Sequence, residues 1–578
     1  MSLLSARCTY PPARPTINQD VWLEILRYFR ISLTEDKEDE IRAKRATLFS
    51  AALSCSAMAD PALDELWRSM TSLEAVLGVI NEVADGTSRA LAFVEESGDN
   101  DSICESWDLL LSPPQRTKYL LRIQKNLRRV RYLHFDRWPS DREFGLWQSL
   151  AAQTRTPVVC PNLKSLSLDM YDLQDGYLVS ARCLFFILSS TLETLTLRYC
   201  AKGQKVKAAH LLLRMLRSHE TPLLEITYHG YIDGETFRLI SEFPSLRSIK
   251  IREYLAQEDD LSGFLEIEDF KNLKLKTSLT TIEFNLDSVA AGDDRELGPS
   301  LTSLEALYDL TVRGSKYRLE CCIFNHGLAF KVVQSLTLIS TSSTPPDGAA
   351  LFTHILQQFP RLHSLGIELA VRRDNDEAQL HQHEFVDITQ LHKRSMRRIK
   401  LFGVPIHITA NFFSDVSSKW AELEELSLEW PTNQKPNIDV KAVLNGFSSN
   451  ATHLRTLGLP LDMKTLARSP LSIPTSHLRC PLRTLNLTPP WKNPLVGDIP
   501  MIARNLMTLF PRLTTVDVDG ERSPELWSLQ TTLTTMREMM ISPPGRPDSL
   551  FYALRLVRIE NINAHSRICT LRLWLRNH

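Results

Sequence analysis

The residues best able to do metal chemistry in this chain sit in "HQHEF" (381–385), where His381 and His383 stand two apart. That spacing places both imidazoles on one face of an extended strand, as the start of a zinc site would, but no third ligand is evident and the stretch reads as a polar loop. The acidic run "EDKEDE" (35–40) supplies carboxylates in number, yet blocks of charge of this kind are usually solvated. The ten cysteines are scattered, with Cys321 and Cys322 adjacent and no C-x-x-C pair, so they suggest neither a zinc site nor a disulfide framework. Reduced, buried thiols are expected. No G-x-x-x-x-G-K-[ST] loop, G-x-G-x-x-G fingerprint, H-E-x-x-H pair or G-x-S-x-G elbow is present. The expectation is a non-enzyme without catalytic residue, metal or cofactor.

Composition bounds the rest. Of 578 residues, 43% are hydrophobic and 23% charged, which is ordinary globular composition. Lys plus Arg number 67 against 68 Asp plus Glu, so no global field draws phosphate backbones or anionic membranes, and neither nucleic acid nor membrane is an expected partner. Apolar runs stay short of the roughly 18 residues a spanning helix needs, and Arg7 and Pro11 break the N-terminal stretch before a signal-peptide core could form. An intracellular location, cytoplasmic or nuclear, is expected.

The elements that must position any site are announced by a recurring hexad. It reads "VRYLHF" at 130, "LKSLSL" at 163, "LETLTL" at 192, "LLEITY" at 223, "LRSIKI" at 246, "LTTIEF" at 279 and "LYDLTV" at 307. It continues as "VQSLTL" at 333, "LHSLGI" at 362, "MRRIKL" at 396, "LEELSL" at 423, "LRTLGL" at 454, "LRTLNL" at 482 and "LTTVDV" at 513. These fourteen units recur about every 29 residues, within the range of strand-plus-helix repeats. In a strand, alternate residues share a face, so the fourth and sixth positions enter a core while the fifth points out. The first position turns inward at the bend that precedes the strand. Between hexads lie stretches with helical apolar spacing, such as "HLLLRMLRSHE" (210–220) and "GAALFTHILQQF" (348–359). Pro244, Pro360 and Pro511 each stand two residues before a hexad's first Leu, where proline ends the helix and lets the chain turn. Phe243, Phe359 and Phe510 are expected to close the core from the last helical turn.

This pattern resembles the leucine-rich repeat family over about residues 125–530, and its divergent spacing, 23 to 34 residues, is similar to that of fungal F-box leucine-rich repeat proteins. The resemblance implies an α/β leucine-rich repeat solenoid, with parallel strands on the concave face and helices on the convex face.

Ahead of the repeats, Ile17, Val21, Ile25, Leu26 and Phe29 follow helical spacings of three and four and predict one helix with a wide apolar face, capped by Asn18 or Asp20. A second helix is predicted over about 46–58 and a third from near Pro61, in its first turn, to "ELWRSM", with the charged "TEDKEDEIRAKR" between the first two. "INQDVWLEILRYF", "LFSAALSCSAMADPA" and "LWRSM" resemble, in that order, the segments of an F-box, with Asn18 in place of the usual proline. That resemblance implies a small all-α domain at 16–70 that docks a Skp-type adaptor, and through it a cullin. Ile17, Val21, Ile25, Leu26, Leu53, Leu66 and Trp67 would support or form the adaptor surface. The alternative is a non-catalytic repeat scaffold whose N-terminal helices only cap the exposed end of the repeat core.

The resulting organisation is a flexible N-terminus over 1–15, the F-box-like domain over 16–70, a helical linker or cap over 71–125, repeats over 126–530 and a C-terminal repeat or cap over 531–578. Function is expected on the outward strand face, where the resemblance implies binding of a substrate protein for ubiquitin transfer by other subunits. Candidate contacts are Arg247 and Lys250 on one strand, Arg397, Arg398 and Lys400 on another, and Glu424, Glu425 and Trp430 on the next.

Overall fold

The structure is a computed structural model. It describes residues 19–33, 36–72, 113–139, 147–148, 150–152, 158–171, 182–200, 204–252, 265–273, 278–289, 294–323, 329–341, 348–369, 391, 395–404, 412–429, 440–461, 466, 480–487, 498–518 and 524–541. The chain divides into two compact units, Met1–Leu279 and Thr280–His578.

The first unit opens with three helices, α1 (Gln19–Arg27), α2 (Glu38–Ser54) and α3 (Ser56–Arg68), followed by the two-residue strand β1 (Ser69–Met70). Helix α4 (Pro113–Leu127) leads into β2 (Tyr132–Phe135), β3 (Ser165–Asp169) and β4 (Thr194–Cys200). Then come α5 (Gln204–Ser218), β5 (Glu225–Gly230), α6 (Gly234–Ser241), β6 (Ser248–Arg252) and α7 (Ile267–Leu273). Strands β1 to β6 pair in chain order, every pair parallel.

In the second unit the order is β7 (Thr281–Asn285), α8 (Asp294–Thr302), β8 (Asp309–Gly314), α9 (Lys316–Cys322), β9 (Ser335–Ser340), α10 (Gly348–Gln358), β10 (Ser364–Leu369) and β11 (Arg398–Phe402). It continues with α11 (Phe412–Lys419), β12 (Glu425–Glu429), α12 (Val440–Asn450), β13 (Thr456–Leu459), β14 (Thr484–Leu487), α13 (Ile499–Leu509), β15 (Thr515–Val518) and α14 (Pro524–Ile541). Strands β7 to β15 also pair in chain order and in parallel. Each of the fourteen hexads is therefore a strand that begins at the hexad's third residue. Parallel neighbours require a crossover, and where a helix is described between two strands, as α5 between β4 and β5 or α10 between β9 and β10, it lies in that crossover.

The physical cause repeats from unit to unit. Leu163, Leu166 and Leu168 occupy the first, fourth and sixth hexad positions and are fully buried, as are Leu192, Leu195 and Leu197, and Leu454, Leu457 and Leu459. The bend before each strand is held by one carbonyl that accepts two consecutive backbone N–H groups of the following unit. The Lys164 carbonyl takes Glu193 and Thr194 at 2.8 and 2.9 Å, Glu193 takes Leu224 and Glu225, and Leu224 takes Arg247 and Ser248. The same ladder runs through Tyr308, Gln334, His363, Arg397, Glu424, Arg455 and Arg483 in the second unit. Because the polar backbone of the bend is satisfied by the next bend, each unit is stable only beside a neighbour.

Helix ends match the proline punctuation. Helix α10 stops at Gln358 and α13 at Leu509, and the buried rings of Phe243, Phe359 and Phe510 lie in the core as expected. The predicted helical stretches 210–220 and 348–359 fall within or directly after α5 and α10. The last strand among the described residues is finished by a side chain: the Gln530 carboxamide of α14 accepts from Val516 N at 2.8 Å and donates to Thr514 O at 2.6 Å. An edge strand's exposed N–H and C=O are thereby occupied. This covering helix starts at Pro524, seven residues ahead of the expected terminal segment, and residues 542–578 lie outside the described residues.

Two expectations for the N-terminal helices are corrected. The charged run belongs mostly to a helix, since α2 begins at Glu38 and Lys44 bridges Asp36 and Glu40 at 2.8 and 3.0 Å. Charges one turn apart on a helix support it, and three acids sit in its first turn, where the dipole favours them. Pro61 lies inside α3 rather than in its first turn, because the break falls earlier, at Cys55, in extended backbone (φ −158°).

Candidate functional site

The first candidate surface is built on α1 and α2, both of which pack on α3. Leu26, Ile31, Leu48 and Ala62 form a small core, with Phe29, Leu33, Ile41, Ala51, Ala52 and Leu66 packed against it. The same helices carry a second set of apolar side chains facing solvent. Val21 (47% exposed) and Ile25 (40%) on α1 and Tyr28 (86%) in the turn just after it succeed one another at spacings of four and three, and Phe49 (55%) and Leu53 (72%) stand four apart on α2. The apolar face expected on α1 is thus split: Leu26 and Phe29 turn inward, whereas Val21 and Ile25 turn out.

Of the residues the resemblance assigns to adaptor binding, Val21, Ile25 and Leu53 are exposed, Leu66 and Trp67 are half-buried, and Leu26 is a core residue in a supporting position. Ile17 and Asn18 lie outside the described residues, as does the side chain of Asp20. Tyr28 and Phe49 were not among the candidates, although they continue the series from Ile25 and Leu53 at helical spacing.

These helices are also joined to the sheet. β1, within the expected third helical segment, pairs with β2 through Ser69↔Tyr132 and Met70↔Leu133, and Arg131 N donates to Arg68 O at 2.9 Å. Asp60 receives Lys125 at 3.0 Å and Arg129 at 2.6 Å, and Asp64 pairs with Arg129 as well. Hydrogen bonds from Arg129 and Lys125 hold the Asp60 carboxyl below its ordinary pKa, whereas burial pushes Asp64 up despite the same arginine. The buried Glu65 is met by Arg30 at 3.3 Å and Arg68 at 3.7 Å.

The second candidate surface is the outward face of the strands. In the first unit Lys250 reaches Glu225 on the neighbouring strand at 2.5 Å, and Arg247 is exposed. In the second unit Lys400 meets Glu425 at 2.9 Å, Arg397 meets Glu422 at 3.6 Å, and Arg398 is exposed and in register with Glu425. Glu424 is half-buried, and its N–H donates to Arg397 O. Trp430 lies outside the described residues. Lys250 and Glu225, and Lys400 and Glu425, therefore pair across adjacent strands, a contribution of about 0.2–1 kcal/mol each at such exposure.

The remaining chemical groups are held quietly. Burial pushes the thiols of Cys160 and Cys200 up to about 12 and that of Cys480 up to about 11, far from a reactive thiolate. Among the described residues no group of three or more His, Cys, Asp and Glu could hold a metal ion, and His381 and His383 lie outside them. His210 joins α5 to α6: its Nε2 lies 3.1 Å from Asp233 Oδ1 and 2.8 Å from Thr236 Oγ1. Asp233 also caps α6 by accepting from Thr236 N at 2.8 Å. Burial alone would raise the Asp233 carboxyl, but these bonds outweigh it and hold its pKa at about 2. No helix among the described residues is long and apolar enough to cross a membrane.

Fold and surfaces define a class, an α/β protein of parallel strand-helix repeats preceded by a three-helix segment with apolar faces in water. No protein-family model and no curated protein matches this chain.

Proposed function

We propose that this chain is the substrate-binding subunit of a cullin-RING ubiquitin ligase, its N-terminal helices docking a Skp-type adaptor and its repeats holding a substrate protein. The observation that carries the reading is the paired use of α1 and α2. Each buries one apolar face in the small core and leaves other apolar side chains, Val21 and Ile25 or Phe49 and Leu53, in water, with Tyr28 exposed just after α1. Apolar patches of this kind on a helical segment favour a protein partner over a free surface. The chain itself carries out no covalent step; transfer belongs to the other subunits.

The second reading, an interaction scaffold whose N-terminal helices only cap the repeats, is favoured by the β1 to β2 pairing and the Asp60, Asp64 and Arg129 cluster. Point variants separate the two better than deletion, because removing residues through Met70 would strip β1 from the edge of β2. Full-length chain is co-purified with a Skp-type adaptor, alongside Val21→Glu and Leu53→Glu. Ligase function requires capture by the parent chain and loss in both variants with unchanged circular dichroism. A folded parent chain that ignores the adaptor would leave the scaffold reading standing.

A further inference from the structure

At the carboxyl ends of β3 and β4 two exposed tyrosines stand together. Tyr171 is 67% exposed and Tyr199 39%, and their rings meet edge to face with centroids 5.6 Å apart. Tyr199 adopts φ 56°, the left-handed region that a bulky side chain enters only at a cost. The pairing of β4 with β5 slips between Leu197 and Cys200, and Gly230 answers the slip with φ 131°, where a Cβ would come within 2.4 Å of the Cys200 carbonyl oxygen. Burying Cys200 does not require a tyrosine beside it, since glycine at 199 would make the same bend without strain. What the strained residue adds is an exposed ring beside Tyr171.

Among the described residues, the charged groups that touch or adjoin this pair are Lys205, Arg198 and Asp169. Lys205 Nζ donates to the Tyr171 carbonyl at 2.6 Å and lies 5.5 Å from the centre of its ring. Arg198, half-buried, precedes Tyr199 and is in register with Asp169. That carboxylate is 9% exposed and accepts the Tyr171 N–H at 2.8 Å, so its charge is turned into the fold. Aromatic faces next to an arginine and a lysine suit carboxylates carried on a chain that also offers apolar contact.

We propose that Tyr171, Arg198, Tyr199 and Lys205 form a docking surface for an Asp/Glu-rich segment of a partner polypeptide. This deepens the reading that the repeats hold a substrate protein and rests on it.

The test selects a displayed random dodecapeptide library on the immobilised full-length chain, then measures the enriched peptides in solution. Expected are sequences rich in Asp and Glu whose affinity falls steeply with salt and drops about tenfold or more in Arg198→Glu, roughly the loss of one charge-assisted contact. Tyr199→Gly is the decisive variant, because it should raise Tm by relieving the strain while weakening the peptide. A purely structural tyrosine would leave peptide binding unchanged, and that result overturns the proposal. So does enrichment of peptides without acidic residues, or tighter binding of single-stranded RNA or phosphatidylserine vesicles at the same residues. Adaptor capture is followed on the same variants: adaptor retained with peptide lost supports the surface, whereas a parent chain that binds peptide but no adaptor removes the ligase reading alone.

Discussion

The repeats and the N-terminal helices use apolar residues in opposite ways. In the strands the inward positions are sealed, with Leu166, Leu195, Leu365, Leu426 and Leu485 all at 1% exposure or less. Outward positions on the same strands are small or polar, as in Ser165, Ser167, Thr194, Thr196, Gly366 and Asn486. In α1 and α2, by contrast, large apolar side chains face both the small core and water. A strand's two faces can be divided cleanly by alternation, and the leucines at the first, fourth and sixth hexad positions are all buried. The helices keep more apolar surface than their core can cover, so that part of it is available to a partner.

If this contrast is right, equal truncations must have unequal effects. Leu195→Ala or Leu426→Ala should cost roughly 2–5 kcal/mol, the range for a buried leucine that leaves a cavity. Leu53→Ala should be nearly neutral to stability by comparison. Chemical denaturation of the three variants measures the difference, and a stable Leu195→Ala chain would break the comparison.

Next in size is the bond between consecutive helices at His210. Asp233→Asn should cost about 1–2 kcal/mol near neutral pH, a figure reduced for partial solvent exposure. The sign follows from a folded pKa of about 2, below the ordinary carboxylate value. Asp233 stabilises the fold fully above about pH 4, and the contribution is lost as pH falls toward 2. The variant's acid-unfolding curve should therefore lie below that of the parent at neutral pH and converge with it in acid.

Gln530→Ala should be smaller, about 1 kcal/mol, from freeing the Val516 N–H and Thr514 carbonyl at the last strand. Faster amide exchange confined to β15 would report it. The smallest stability effects belong to the exposed apolar side chains of the N-terminal helices: Val21→Glu and Leu53→Glu should shift stability by less than about 0.5 kcal/mol. Their readout is adaptor capture, and a large loss of stability instead would show that these side chains are packed after all.

Much of the architecture was legible because the repeat restates the same local rule. Each L-x-x-L-x-L carries its own period of two, and fourteen restatements leave little room for another assignment, so strand positions and inward leucines follow from spacing alone. Helical stops followed from Pro244, Pro360 and Pro511, whose backbone restriction is local. The partitioning of α1 was not legible in this way. Ile17, Val21, Ile25, Leu26 and Phe29 make one apolar pattern in one dimension, and only packing on α3 determines that Leu26 is inside and Val21 is not.

The sequence by itself thus determined the repeat, its strand register and the identity of its core, because those depend on periodicities within a few residues. Tertiary structure alone decided four things: that Ser69 and Met70 join β2, that Lys250 and Lys400 are paired with Glu225 and Glu425, that Gln530 finishes the final strand, and that Tyr199 is strained beside Tyr171. Each is a meeting of residues between 14 and 63 positions apart or a backbone angle forced by a neighbouring strand, and no spacing within a single segment encodes either.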